Sequence, residues 1–156
     1  MTLIRGGPFY PAFTADTERY FAADRQCIER VVSNLLVNQT TGERPGMLLG
    51  KIQSGKTKTF LAVIALAFDN GYDTAIILTK GTKALTRQTV ARVRREFAAF
   101  QQRDQLQIHD IMSIPDGLTG YELDQKLIVV EMCIRDSLCN RQCQSRQWHI
   151  PAHQLE

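Results

Sequence analysis

The chain lacks a long apolar run. Its longest, Phe60 to Phe68, is too short to cross a bilayer, so no membrane role is expected. No cleavable leader is visible either. Arg5 is followed by Gly6-Gly7-Pro8 rather than by an apolar core, and the expected location is cytoplasmic. Cysteines number only 4 in 156 residues, and Cys133, Cys139 and Cys143 crowd near the end. That is not the framework of a small secreted domain held by disulfides. The charge excess is small, +3 at pH 7, so its distribution carries more information than its total. Internal repeats are absent.

What is present is ordinary globular material, 44% hydrophobic and 22% charged, in a length that suits one domain. Within it stands Gly50-Lys51-Ile52-Gln53-Ser54-Gly55-Lys56-Thr57, which fits the phosphate-binding pattern G-x-x-x-x-G-K-S/T at every fixed position. Chance alone should produce that match in a chain this short well under about one time in a hundred. Met47-Leu48-Leu49 before it is a short apolar run that reads as a buried strand. Thr59 to Phe68 after it is apolar and rich in helix formers. Strand, glycine loop and helix form the setting the motif needs.

The residue types have physical reasons. Gly50 and Gly55 let the loop curl, so that the N–H groups of Gln53, Ser54 and Gly55 can point at phosphate oxygens. The positive end of the following helix adds to that field. Lys56 is the candidate catalytic cation, reaching the outer phosphates of ATP, and the Thr57 hydroxyl is the candidate ligand for Mg²⁺.

Residues 1–14 form an arm rich in glycine, proline and aromatics, whose rings could stack on an adenine or pack on the domain; packing is favoured. Thr17 to Val37 has the spacing of an amphipathic helix, capped by Asp16 or Thr17. Residues 38–46 are a turn-rich linker. A helix is predicted over Lys56–Asp69, ended by Asn70-Gly71 with Gly71 left-handed, and expected to lie against a sheet. Thr74–Thr79 predicts a parallel strand covered on both faces. With the Met47–Leu49 strand and the helix between, it makes a right-handed βαβ unit.

Lys80-Gly81-Thr82-Lys83 follows, with Thr82 as the N-cap of a helix running to about Gln102. The segment from Lys80 to Arg103 holds Lys80, Lys83, Arg87, Arg92, Arg94, Arg95 and Arg103 against the single acid Glu96. Lys80, Thr82 and Lys83 are suited to grip a phosphodiester backbone, while a solvated basic helix is the plainer alternative. Gln107–Ile114 reads as a short strand, Pro115-Asp116-Gly117 as a turn, and Leu127–Val130 as another buried strand. Cys139, Cys143, His149 and His153 suggest zinc, but the gap between the two pairs is too short for a finger of that type.

Gly50 to Arg92 resembles the first RecA-like domain of superfamily 2 helicases and translocases. More narrowly, it is similar to the DEAD/DEAH-type ATPases of restriction and phage-defence systems. The likeness runs through Gly50, Gln53, Ser54, Gly55, Lys56 and Thr57, then Asp69-Asn70-Gly71-Tyr72, Leu78-Thr79, Leu85, Gln88, Thr89 and Arg92. It implies an α/β fold: a truncated RecA-like P-loop sheet flanked by helices and preceded by an N-terminal helix. It further implies ATP and Mg²⁺ as cofactors and nucleic acid as partner, DNA before RNA, touched by Lys80, Gly81, Thr82, Lys83 and Gln88.

The resemblance also implies a second RecA-like domain, absent from this chain, and an associated nuclease. An acidic pair is required as well, for which Glu131 is the local candidate. The expected domains are residues 1–46 (arm, helix and linker), 47–131 (partial ATPase) and 132–156. Met132-Cys133-Ile134-Arg135-Asp136-Ser137 resembles translated sequencing-adaptor DNA, so the last segment is expected to be foreign to the domain. Alone, the chain is expected to turn over ATP poorly if at all. Two other classes stay open: a P-loop kinase or NTP-dependent transferase, and a non-enzymatic nucleic-acid-binding module.

Overall fold

A computed structural model describes residues 2–38, 56–80, 82–110 and 125–133. Along the chain come α1 (Tyr10–Phe13), α2 (Ala22–Val37), α3 (Lys56–Asp69) and β1 (Thr74–Lys80). They are followed by α4 (Lys83–Glu96), α5 (Ala98–Gln101), β2 (Leu106–Asp110) and β3 (Lys126–Cys133). The protein is therefore α/β, with a three-stranded sheet in the order β1-β3-β2. Both pairings are parallel: Ile76 lies across from Val129, and Ile108 from Ile128. The strand Met47–Leu49, the turn Pro115–Gly117 and the Cys/His tail lie outside the described residues.

β-branched residues at alternate positions make one face of the sheet the core. Ala75, Ile77, Leu106, Ile108, Ile128 and Val130 share a single cluster with Leu61, Ala65 and Phe68 of α3 and Val90 and Val93 of α4. Among the described residues nothing covers the opposite face of β1, where Ile76 is 65% and Leu78 64% exposed. This corrects the expectation of a strand covered on both sides. The pattern TAIILT is apolar at every position, so sequence alone cannot tell which face finds a partner.

α3 is apolar nearly all round because it is sandwiched. Leu61, Ala65 and Phe68 enter the sheet-side core, while Ala62 and Leu66 join Ile28 and Val32 of α2 in a second cluster. Gly71 ends the helix at φ 91°, the left-handed geometry expected of it.

Two helix boundaries differ from the sequence reading. α2 begins at Ala22 rather than Thr17. Asp16 does cap, but it caps a turn: its Oδ1 accepts from the N–H of Glu18 (2.9 Å) and of Arg19 (3.1 Å). The chain then extends at Phe21 (φ −67°, ψ 163°), and Asp24 accepts from the Phe21 N–H to restart it. That step lets Tyr20 be buried at 1% exposure. The long basic helix also breaks, at Phe97 (φ −102°, ψ 13°). Phe97 and Phe100, on either side of the bend, both lie in the core, each worth about 1.5–3 kcal/mol when fully buried.

The N-terminal arm packs rather than protrudes. Phe9 lies 5.6 Å from the ring of Phe68 and 4.7 Å from that of Phe100, and Phe13 lies 4.8 Å from Phe97. Its backbone is fastened to the end of α3. The Asp69 carboxylate accepts from the N–H of Phe9 (3.0 Å) and Tyr10 (2.7 Å), while Asn70 Oδ1 accepts from the N–H of Ile4 (2.7 Å). Gly7 is where this clasp closes. A Cβ there would sit 2.2 Å from Asp69 Cγ, so only glycine fits.

Candidate functional site

Of the phosphate-loop residues, Gly50, Gln53, Ser54 and Gly55 lie outside the described residues, and α3 begins at Lys56 immediately after them. Thr57, in its first turn, is half-buried, and its hydroxyl is engaged. Arg92 of α4 donates from Nη1 to Thr57 Oγ1 at 3.1 Å. One lone pair of the candidate metal ligand therefore already faces a guanidinium.

The start of α3 is held from a second side. Lys58 Nζ donates to Asp24 of α2 at 2.9 Å and to the carbonyl of Arg19. It also stands 5.3 Å from the centre of the Tyr20 ring and 5.7 Å from that of Phe21. The Tyr20 hydroxyl donates to the Lys58 carbonyl at 3.2 Å. Burial pushes the Tyr20 hydroxyl up to about 12, against the opposing charge of Arg19 and with help from Glu96 and Asp24. Arg19 reaches on to α4, pairing with Glu96 at 2.7 Å, and that hydrogen bond raises its pKa. The turn before α2 thus ties the first turn of α3 to the last turn of α4.

The predicted polynucleotide contacts lie elsewhere on α4. Thr82 caps the helix as expected, accepting from the Leu85 N–H at 3.3 Å. Lys80 is the last residue of β1, while Gly81 lies outside the described residues. Thr82, Lys83 and Gln88 are all exposed. Behind the cap, the hydroxyls of Thr79 and Thr86 meet at 2.8 Å and pin the end of β1 to α4. From Lys83 to Arg92 the helix rises about 13 Å at 1.5 Å per residue. Thr57 therefore meets α4 well down its length, not beside the Lys80–Lys83 turn.

The charge of α4 is little compensated. Glu96 serves both Arg19 (2.7 Å) and Arg95 (3.8 Å). Among the described residues Lys83, Arg87, Arg92 and Arg94 have no carboxylate partner, and all four are exposed. Glu131 lies on β3 across from Leu78 of β1, two residues before the strand end. No group of three or more His, Cys, Asp or Glu suited to a metal occurs among the described residues. No described helix is long and apolar enough to cross a membrane.

Comparison with protein-family models, curated proteins and solved structures finds no match. Functional inference therefore rests on the residues themselves. Two contributions escaped the sequence reading. Asp69 and Asn70, which in the sequence mark a helix end and part of the family resemblance, hold the N-terminal arm. Lys58, not singled out by any motif, joins α3 to α2. Neither has a local signal, because each partner lies more than thirty residues away.

Proposed function

We propose that this chain carries the ATP-binding part of a nucleic-acid motor of the helicase or translocase kind, built on a RecA-like P-loop fold. One observation carries the proposal: the eight residues Gly50–Thr57 satisfy the phosphate-loop pattern, and an α-helix starts at Lys56 directly behind the second glycine. Backbone N–H groups at such a junction, together with a lysine, are the chemistry that holds a triphosphate. Two further features support it. The sheet is parallel, the kind in which ligands gather at the carboxyl ends of strands. β1 also ends at Lys80, just before a helix whose Lys83, Arg87, Arg92 and Arg94 have no carboxylate partner among the described residues.

In this assignment Lys56 binds the outer phosphates and Thr57 helps to hold Mg²⁺. Lys80, Gly81, Thr82, Lys83 and Gln88 meet the backbone of DNA. Hydrolysis would need the second RecA-like domain, and Glu131 is the candidate acid on this side.

Two measurements test it. ATP binding by the chain should fall at least about tenfold in Lys56→Ala, since a hydrogen bond to a charged group is worth about 1.5–3 kcal/mol. Equal affinity in both proteins would point to a module that binds no nucleotide. Binding to single-stranded DNA should weaken steeply with salt, and the slope should shrink in a Lys80→Ala/Lys83→Ala variant. Nucleotide binding without any DNA binding would favour a kinase or transferase.

A further inference from the structure

The guanidinium of Arg92 and the hydroxyl of Thr57 form the one side-chain hydrogen bond between α3 and α4 among the described residues. Their pairing is chemically odd. Arginine presents five donors in a planar fork suited to carboxylates and phosphates. Here its sole polar partner among the described residues is a neutral hydroxyl at 3.1 Å. Glu96, one turn further on, is the nearest acid in sequence, and it is already committed to Arg19 and Arg95. A cation left with four unused donors, beside the residue that follows the phosphate-binding lysine, is a cation placed for an anion.

We infer that Arg92 is a further nucleotide-contacting residue, which grips the terminal phosphate of a bound nucleoside triphosphate. This inference rests on the nucleotide-binding reading of Gly50–Thr57 given above. Thr57 Oγ1 has two lone pairs, and one already accepts from Arg92. A divalent cation on the other would place two positive centres on one oxygen, an arrangement that Coulomb repulsion disfavours. The guanidinium leaves the hydroxyl and takes the nearest negative charge. In a triphosphate held by Lys56 and the metal, the charge that a diphosphate lacks would be on the outermost phosphoryl group. Bidentate contact with phosphate is what the guanidinium fork does best. Because Arg92 belongs to the same unbroken helix as Thr82 and Lys83, this exchange of partners acts on the element that begins at the basic turn.

The test uses the full chain, with ATP and ADP each displacing a fluorescent nucleotide in the presence of Mg²⁺. Arg92→Ala should weaken ATP about tenfold and ADP less than about twofold, so that discrimination between them is lost. Arg92→Lys, which keeps the charge without the fork, should recover part of it. Lys56→Ala should weaken both nucleotides. Arg92 is exposed, so thermal unfolding should show the variants to be folded. Two results overturn the inference while leaving the nucleotide site standing: Lys56→Ala weakens binding but Arg92→Ala changes neither nucleotide, or changes both equally. If Lys56→Ala has no effect either, the nucleotide site and the role of Arg92 fall together.

Discussion

Replacing Gly7 by alanine should unfasten the N-terminal arm, and the damage should depend on Asp69. The added Cβ would sit 2.2 Å from Asp69 Cγ, 2.3 Å from its Oδ1 and 2.6 Å from its Cβ, all inside van der Waals contact. The crowded atoms lie near the root of a short side chain, so they cannot simply swing away. Moving the carboxylate sacrifices its bonds to the N–H of Phe9 (3.0 Å) and Tyr10 (2.7 Å), which are charge-assisted and part-buried. Each is worth about 1.5–3 kcal/mol when a partner is removed, so the loss should be about 2–4 kcal/mol after partial solvation. For a chain of this size that corresponds to roughly 5–15 °C in Tm.

Asp69→Ala should cost a similar amount, for the same reason from the other side. The informative quantity is the double variant. Once Asp69 is alanine, the two closest contacts are gone and only the one to Cβ remains, so Gly7→Ala should cost much less in that background. Denaturant unfolding of the four proteins should give a coupling of at least about 1 kcal/mol. Strict additivity would show that the arm is not held by this carboxylate. Limited proteolysis gives a second readout, since cleavage before α2 should accelerate in both single variants.

Two further outcomes follow from features of the core and the caps. Tyr10 and Tyr20 both have hydroxyls pushed from 10.0 up to about 12, by burial first and then, for Tyr10, by Glu29. A raised folded value means that their contribution is fully present below pH 10 and is lost as pH climbs towards 12; Tm should fall across that window by the equivalent of about 1 kcal/mol per group, after allowing for solvent. Tyr20→Phe should flatten the fall, and tyrosinate absorbance rising with an ordinary midpoint before any unfolding would contradict the burial argument. Thr82→Ala removes the α4 cap and should cost about 1 kcal/mol by denaturant unfolding, with Thr82→Asp close to neutral; no change in Thr82→Ala would mean that solvent satisfies the Leu85 N–H equally well.

Long, periodic segments were the legible part of this chain. α3 was read with its observed ends because a glycine precedes it and Asn70-Gly71 follows. The Thr82 cap was legible for the same reason, as a short side chain that can turn back on its own helix. Legibility failed where a distant contact overrode a local pattern. The spacing from Thr17 to Val37 is helical throughout, yet burying Tyr20 requires an extended step at Phe21. The stripe from Val90 to Phe100 is continuous on paper, yet the helix breaks at Phe97, which ends one segment and opens the next. The candidate site divides likewise. Its residue types and their order could be listed from the sequence, but the Arg92–Thr57 contact joins residues 35 apart and depends on how two helices cross.

The strand order has a consequence for how the protein is made. β3, the last of the described strands to leave the ribosome, lies between the other two, and β1 and β2 pair with it rather than with each other. Before Lys126 is synthesised, neither earlier strand has this neighbour to bond. The helices can form and collapse on Phe9 and Phe13 meanwhile, but the hydrogen-bonded centre must await its final member. Thr74 then has to find Leu127 across more than fifty residues of chain, a slow search by the standards of local contacts. A nascent chain stalled short of that point would hold β1 and β2 without their shared partner, with Ile76, Ile77, Leu106 and Ile108 for a chaperone to meet.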